Sequence, residues 1–323
     1  MKQRRGNRRE RAAGGADRAR QSPGERVARA FTERTGRERP PGVGRERPPA
    51  KDLRAFTPQR SGAGDGAHVF GVRPVLELLR AGRRPVERVT VAEGAHESRL
   101  HEIIELARSA GVPVRRVPRA ELQRAAAGAN HQGVVAAVAA ARYLSSDELL
   151  DRLAARVGTQ EPPLALVLDG VEDPRNLGAL LRTCECVGAS AVFVPERRAV
   201  GLTETVAKAA AGALEYVRVA RVTNVARLIE ELQARNIWTI GTAADAELEY
   251  TDWDWTRPSA LLLGGEGEGL RRLVRERCDA LVRIPLRGRI ASLNVSVAAG
   301  VVLYEALRQR AAEAGHERAI KLQ

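Results

Sequence analysis

Leu261-Leu-Leu-Gly264-Gly265-Glu266-Gly-Glu-Gly269-Leu270 breaks an apolar run into a glycine turn wrapped around two carboxylates. Ile284-Pro285 follows, and then Ser292-Leu293-Asn294-Val-Ser-Val-Ala298, a polar turn that opens an alanine- and valine-rich helix. The glycine turn is not the G-x-G-x-x-G dinucleotide fingerprint, because it lies late in its domain and sets acids between the glycines. It is not a P-loop, since no Lys-Ser/Thr follows it. Carboxylates repel phosphates and suit hydroxyl, amino or cationic groups. The expected ligand is a nucleoside without phosphates; the bland alternative is a glycine turn with two solvated glutamates. Backbone near Ile284-Pro285 could hold an adenine ring, while Ser292 and Asn294 offer hydrogen bonds and cap the last helix.

Around this stretch, short apolar strands alternate with helices. Strands are expected over 164–168, 191–194, 216–219, 237–240, 260–263 and 281–284. Helices are expected over 177–187, 206–211, 225–235, 270–277 and 295–310. This alternation predicts an α/β fold with a mostly parallel sheet covered on both faces.

A second constellation, Asp169-Gly-Val-Glu-Asp173-Pro174-Arg175-Asn176-Leu-Gly178-Ala-Leu-Leu-Arg182-Thr183, follows the first of these strands and opens a helix. Ligands of open α/β sheets collect outside the carboxyl ends of strands. Asn176 is expected to be the helix N-cap, and Gly178 to allow close approach of another backbone. Arg182 sits in an otherwise apolar helix. It is either a surface residue or the partner of a carboxylate, a phosphate or a ligand.

The charge is divided unevenly. The chain has 323 residues and a formal net charge of +13, of which residues 1–66 carry 18 Lys+Arg against 8 Asp+Glu. That segment is rich in Arg, Gly and Pro and repeats Gly36-Arg-Glu-Arg-Pro-Pro as Gly44-Arg-Glu-Arg-Pro-Pro. Such a composition buries too little apolar surface to offset chain entropy, so a disordered basic tail is expected. It is either an RNA tether or a solubilising extension. Residues 67–141 read as a small basic α/β unit. Expected there are helices over 75–79, 100–110 and 120–126 and strands over 86–91, 112–117 and 133–139, with Gly111 stopping the second helix. Residues 142–163 read as a linker with some helix, 164–311 as the main domain and 312–323 as a C-terminal tail. Cys184, Cys186 and Cys278 lack metal spacing, so no metal is expected and reduced thiols point to the cytoplasm. No apolar run is long enough to span a bilayer, so no membrane association is expected.

Together, Asn176-Leu-Gly-Ala-Leu-Leu-Arg182-Thr, Leu263-Gly-Gly-Glu266-Gly-Glu-Gly269 and Ile284-Pro285 through Ser292-Leu-Asn294-Val-Ser-Val-Ala298 resemble the SpoU/TrmH family of RNA ribose 2′-O-methyltransferases in the SPOUT superfamily. Ala211-Gly212-Ala213 and Glu215 fit a weaker family segment. The unit at 68–141, with His131-Gln132-Gly133-Val134, resembles the substrate-binding domain of the branch that methylates a guanosine ribose of 23S rRNA. The tail is outside that pattern. The resemblance implies a trefoil-knotted α/β domain, S-adenosylmethionine as methyl donor, a homodimer and an RNA substrate, rRNA first. By motif position, Gly264, Gly265, Gly269, Ile284 and Leu293 would hold the cofactor, while Asn176, Arg182, Glu266, Ser292 and Asn294 would form the catalytic neighbourhood. Arg182 would sit buried beside the pocket. It would stabilise the developing oxyanion or grip an RNA phosphate, since a guanidinium is a poor base.

Competing readings are a tRNA ribose methyltransferase and a non-catalytic RNA-binding ribosome-assembly factor. The intact site residues argue against the second. A nicotinamide-dependent dehydrogenase is disfavoured by the missing fingerprint after the first strand.

Overall fold

The computed structural model describes residues 67–95, 97–126 and 130–321, so the expected basic tail at 1–66 lies outside the described residues. The chain first builds a four-stranded mixed sheet from β1 (Ala67–Phe70), β2 (Val86–Ala92), β3 (Val114–Val117) and β4 (Val134–Val138), in the order β1-β4-β2-β3. Helices α1 (Val72–Ala81) and α2 (Glu97–Ser109) supply Val75, Leu78, Leu100 and Ile103 to one core, against Val69, Val89, Val91, Val134 and Ala136 of the sheet. Helix α3 (Arg119–Ala125) presses Leu122 onto the opposite face. All five residues of β4 are buried because both of its faces are covered. Gly111, at φ +68°, follows α2 in the expected left-handed turn.

Residues 142–163, the expected linker, pack against the next sheet. Leu144 bridges to Ala220, and α4 (Ser146–Ala154) buries Leu149, Leu150 and Leu153. Arg310 anchors the end of this stretch by donating to the carbonyls of Pro162 and Pro163 as well as those of Trp255 and Arg257.

The main sheet has seven strands, β5 (Leu164–Asp169), β6 (Ala191–Pro195), β7 (Val219–Val222), β8 (Trp238–Thr242), β9 (Leu248–Glu249), β10 (Ser259–Gly264) and β11 (Ala280–Arg283). Their order is β7-β6-β5-β10-β8-β11-β9, and every pairing is parallel. Helices α5 (Pro174–Cys186), α6 (Glu204–Ala210), α7 (Val225–Ala234), α8 (Arg272–Arg277) and α9 (Val295–Lys321) connect or follow these strands. Continuous apolar strands such as Leu164-Ala-Leu-Val-Leu suit this arrangement, because parallel strands are covered on both sides.

Several boundaries differ from expectation for local reasons. Helix α5 starts at Pro174, not Leu177. Its N-cap is Asp173, whose carboxylate accepts from the Arg175 amide at 2.7 Å, and Pro174 fills the first-turn position that needs no amide donor. Asn176 is therefore inside the first turn and is not the cap. Residues 213–215 form a 3₁₀ turn, which delays the expected strand at 216–219 to Val219–Val222. Leu270 and Arg271 precede α8 rather than belonging to it. Helix α9 continues past Arg310 to Lys321, through most of the expected tail. The two-residue β9 carries no sequence signal of its own.

Candidate active site

Strands β5 and β10 are parallel neighbours in register, with Asp169 opposite Gly264. The two motif turns therefore leave the sheet side by side at the carboxyl ends of their strands. A Cβ on Gly264 would lie 1.9 Å from the Gly269 carbonyl carbon, and one on Gly265 would lie 2.5 Å from the Gly170 oxygen. No side chain fits at either position. The turn is closed by the Gly269 amide, which donates to the Gly265 carbonyl at 3.1 Å. Only glycines allow this approach, and it leaves a rim of bare backbone.

Asn176, buried in the first turn of α5, joins the three motifs. Its side-chain amide donates to Glu266. Its carbonyl accepts from the Asn294 amide at 3.1 Å. The Asn294 carbonyl in turn caps α9, accepting from the Ser296 amide at 2.9 Å and the Ser296 hydroxyl at 2.6 Å. The order of donors is forced from both ends. A carboxylate only accepts, and a helix N-terminus only donates, so both asparagines can point one way only.

This chain of amides borders a cleft of about 430 Å³ lined by Asp169, Glu172, Asp173, Glu266 and Glu268, with Arg198 and Arg271 as its cations. Arg271 is committed to the buried Asp169. Its amide donates to one carboxylate oxygen at 3.0 Å and its Nε to the other at 2.7 Å, with a further guanidinium contact. These bonds raise the guanidinium's affinity for its proton. Nothing in the sequence spacing links residues 169 and 271, so this pair emerges only from the fold. The lining is bare backbone, an amide and five carboxylates against two guanidiniums, one of them committed to Asp169, and this acidic balance suits a nucleoside bearing a positive centre and hydroxyls better than a phosphate.

The remaining expected residues are less enclosed. Ile284 follows β11 and is half-buried, while Ser292 and Leu293 are exposed. Arg182 is not beside this cleft. It lies six residues from Asn176, which on an α-helix is about 9 Å along the axis and about a third of a turn round. Helix α5 buries Leu177, Leu180, Leu181 and Cys184, so the Arg182 side chain is outside, exposed, on the rim of a second cleft. The expectation of a buried guanidinium among the glycine and asparagine turns does not hold within one chain. Glu266 serves Asn176 and not Arg182. Burial pushes the Cys184 and Cys278 thiols up to about 12, which makes them poor nucleophiles. Among the described residues, no cluster of three or more His, Cys, Asp or Glu could hold a metal, and no helix is long and apolar enough to cross a membrane.

The SpoU rRNA Methylase family matches residues 163–304, and the RNA 2′-O ribose methyltransferase substrate-binding family matches residues 68–144. A relative of 46% identity over 248 residues is the 23S rRNA (guanosine-2′-O-)-methyltransferase RlmB of Pseudomonas syringae pv. tomato, with 76% of this chain and 96% of that protein covered. RlmB of Ralstonia nicotianae is 56% identical over 181 residues, 56% of this chain and 70% of its own length. Among solved structures, an AdoMet-bound rRNA methyltransferase from Sinorhizobium meliloti superposes with a TM-score of 0.62 at 26% identity, over 75% of this chain and 87% of that one. A parallel sheet with a phosphate-free nucleoside pocket, preceded by an RNA-docking unit, is the build of an RNA ribose methyltransferase. The chain belongs to the SpoU rRNA Methylase family.

Proposed function

We propose that this protein methylates the ribose 2′-hydroxyl of a guanosine in 23S rRNA, using S-adenosylmethionine, as a cytoplasmic homodimer. The observation that carries the reading is the Asn294–Asn176–Glu266 chain at the mouth of the glycine cradle, which unites three sequence-distant motifs in one polar site. When bound, the cofactor supplies an electrophilic methyl on a sulfonium centre. Gly264, Gly265, Gly269, Ile284 and Leu293 would hold it through backbone atoms, Gly265 and Gly269 from the lining of the first cleft. The acidic lining favours the sulfonium charge. Asn176 and Asn294 fix the orientation of Glu266, and Ser292 completes the polar rim. Methyl transfer needs in-line alignment and a place for the hydroxyl proton, so the task of these side chains is positioning and charge stabilisation.

Arg182 enters this reading through the dimer. Ile290, Leu293, Val297, Tyr304 and Leu307 leave an apolar face uncovered along the 290–294 loop and α9, and Ile290 is 78% exposed. Pairing of two copies on that face would cover it and could bring each Arg182 to the other copy's pocket. The division at 67–141, 142–163 and 164–311, with the methyltransferase part trefoil-knotted, belongs to the same reading. The relatives named above favour 23S rRNA over tRNA. Incubation with methyl-labelled S-adenosylmethionine and total RNA, followed by mapping of ribose methylation, tests it. A single labelled guanosine in 23S rRNA is expected. Label confined to tRNA, or absent altogether, overturns it.

A further inference from the structure

The second cleft, of about 450 Å³, lies where α1 of the small unit faces α5 and the turn after α6. Its charged and polar lining includes Arg73, Glu77 and Arg80 from α1, Arg182 and Glu185 from α5, and Tyr216. The two walls are fastened together. Tyr216 donates its hydroxyl to Glu77 at 2.8 Å, Arg83 donates to the Tyr216 carbonyl at 3.2 Å, and Arg84 donates to the buried Glu215 at 2.6 Å. A Cβ on Gly212 would lie 2.7 Å from the Glu77 Cβ, so the contact leaves no room for a side chain there.

The cations of this cleft are not equivalent. Arg80 is held by Glu77 at 3.0 Å and by Glu102 at 2.5 Å. Glu77 is itself occupied by Arg80 and Tyr216. Arg73 and Arg182 have no carboxylate or hydrogen-bond partner among the described residues, and Glu185, one turn beyond Arg182, is the opposing charge. Two unpaired guanidiniums from different units therefore line one cleft, where both are free to take an anion. The planar fork of a guanidinium suits the bidentate binding of a phosphodiester.

We propose that this cleft is a phosphate seat for the RNA strand, in which Arg73 of the small unit and Arg182 of the methyltransferase part grip the backbone flanking the target nucleotide. This deepens the function proposed above and rests on it. It also gives a reason for Arg182 to lie away from its own cofactor turns: in each chain it shares a cleft with the RNA-docking helix. Arg73 is a positioning residue, because it touches the flanking backbone and not the reacting atoms.

The test uses the full chain, transcribed 23S rRNA and polyadenylate as a sequence-free control strand. Arg73→Ala is expected to raise the KM for 23S rRNA about tenfold, and more than it lowers kcat. The slope of log affinity against log salt should fall by about 0.7 to 0.9 for each lost phosphate contact. Arg73→Lys should restore the slope but only part of the KM, since a point charge replaces a fork. S-adenosylmethionine affinity, measured by calorimetry without RNA, should be unchanged. Arg227→Ala, which removes an exposed arginine paired with Glu231 on α7, is the control. A KM and salt slope like those of the parent protein in Arg73→Ala overturn the seat, and so does loss confined to kcat. If the parent protein fails to methylate RNA, the functional reading falls while the salt slope still decides whether RNA sits here.

Discussion

Asn176 donates to Glu266 across 90 residues of sequence, and this bond decides the identity of both side chains. Replacing Asn176 by Asp removes the donor and sets a carboxylate against a carboxylate. It also leaves the Asn294 amide as the only donor between them. Asn176→Asp should cost about 1–3 kcal/mol of stability, the usual result of an unmade buried hydrogen bond. Methyl transfer should fall by more than the fraction unfolded. Thermal melting together with labelled-methyl incorporation checks this. Parent-level transfer in a stable Asn176→Asp protein would remove Asn176 from the site.

The glycines of the 264–269 turn are predicted to differ in kind. Gly264→Ala cannot be accommodated, because its Cβ would fall inside the Gly269 carbonyl group. The turn must open, and the affinity for S-adenosylmethionine should be lost in calorimetry. Gly267 has open space around its Cβ position but a φ of +89°. Gly267→Ala should therefore cost only backbone strain, about 1 kcal/mol, and retain cofactor binding. Equal cofactor affinities in the two variants would show that the turn is not the cradle.

Glu215 is predicted to give the contact between the two sheets a pH dependence. Burial pushes its carboxyl up, and Arg84 and Arg83 offset this only in part. A carboxyl raised on folding binds its proton more tightly in the folded chain. Its contribution to stability is then fully present below the ordinary glutamate range and is lost as pH rises through the higher folded value. Glu215→Gln cannot titrate. The melting temperature of the parent protein should decline relative to Glu215→Gln as pH rises through and just above the ordinary glutamate range. A pH-independent difference between the two proteins would disprove the assignment.

How far the sequence could be read follows from the range of each interaction. The parallel sheet was legible because covered strands must be apolar throughout, as Leu164–Leu168 and Ala260–Leu263 are. The glycine turn was legible because acids between glycines exclude phosphate cradles. The role of Asn176 was half legible. Its residue type suits an N-cap, but Asp173 and Pro174 just upstream fill the cap and first-turn positions more completely, which releases Asn176 for the site. The Asp169–Arg271 pair was illegible, because it depends on β5 and β10 being neighbours and on where α8 begins. The exposed position of Arg182 follows from helix phase. Its side chain lies on the side of α5 away from the buried Leu177, Leu180, Leu181 and Cys184, and motif resemblance alone takes no account of that phase.

Arg182 gives the last prediction. Within one chain it lines the second cleft and not the one bordered by Glu266 and the glycine turn, so the expectation is that a second copy supplies it to the site. Arg182→Ala should lose methyl transfer and keep S-adenosylmethionine binding. Gly264→Ala should lose cofactor binding and keep Arg182. Neither variant acts alone. Co-expressed with different affinity tags and purified as a mixed dimer, they contain one intact pocket facing one intact Arg182. Measurable transfer should return in the mixed dimer and be absent from either parent dimer. A verified mixed dimer without activity would mean that the arginine acts within its own chain, whereas an active Arg182→Ala dimer would mean that each site is completed by some other cation, with Arg198 in the lining of the first cleft as the candidate.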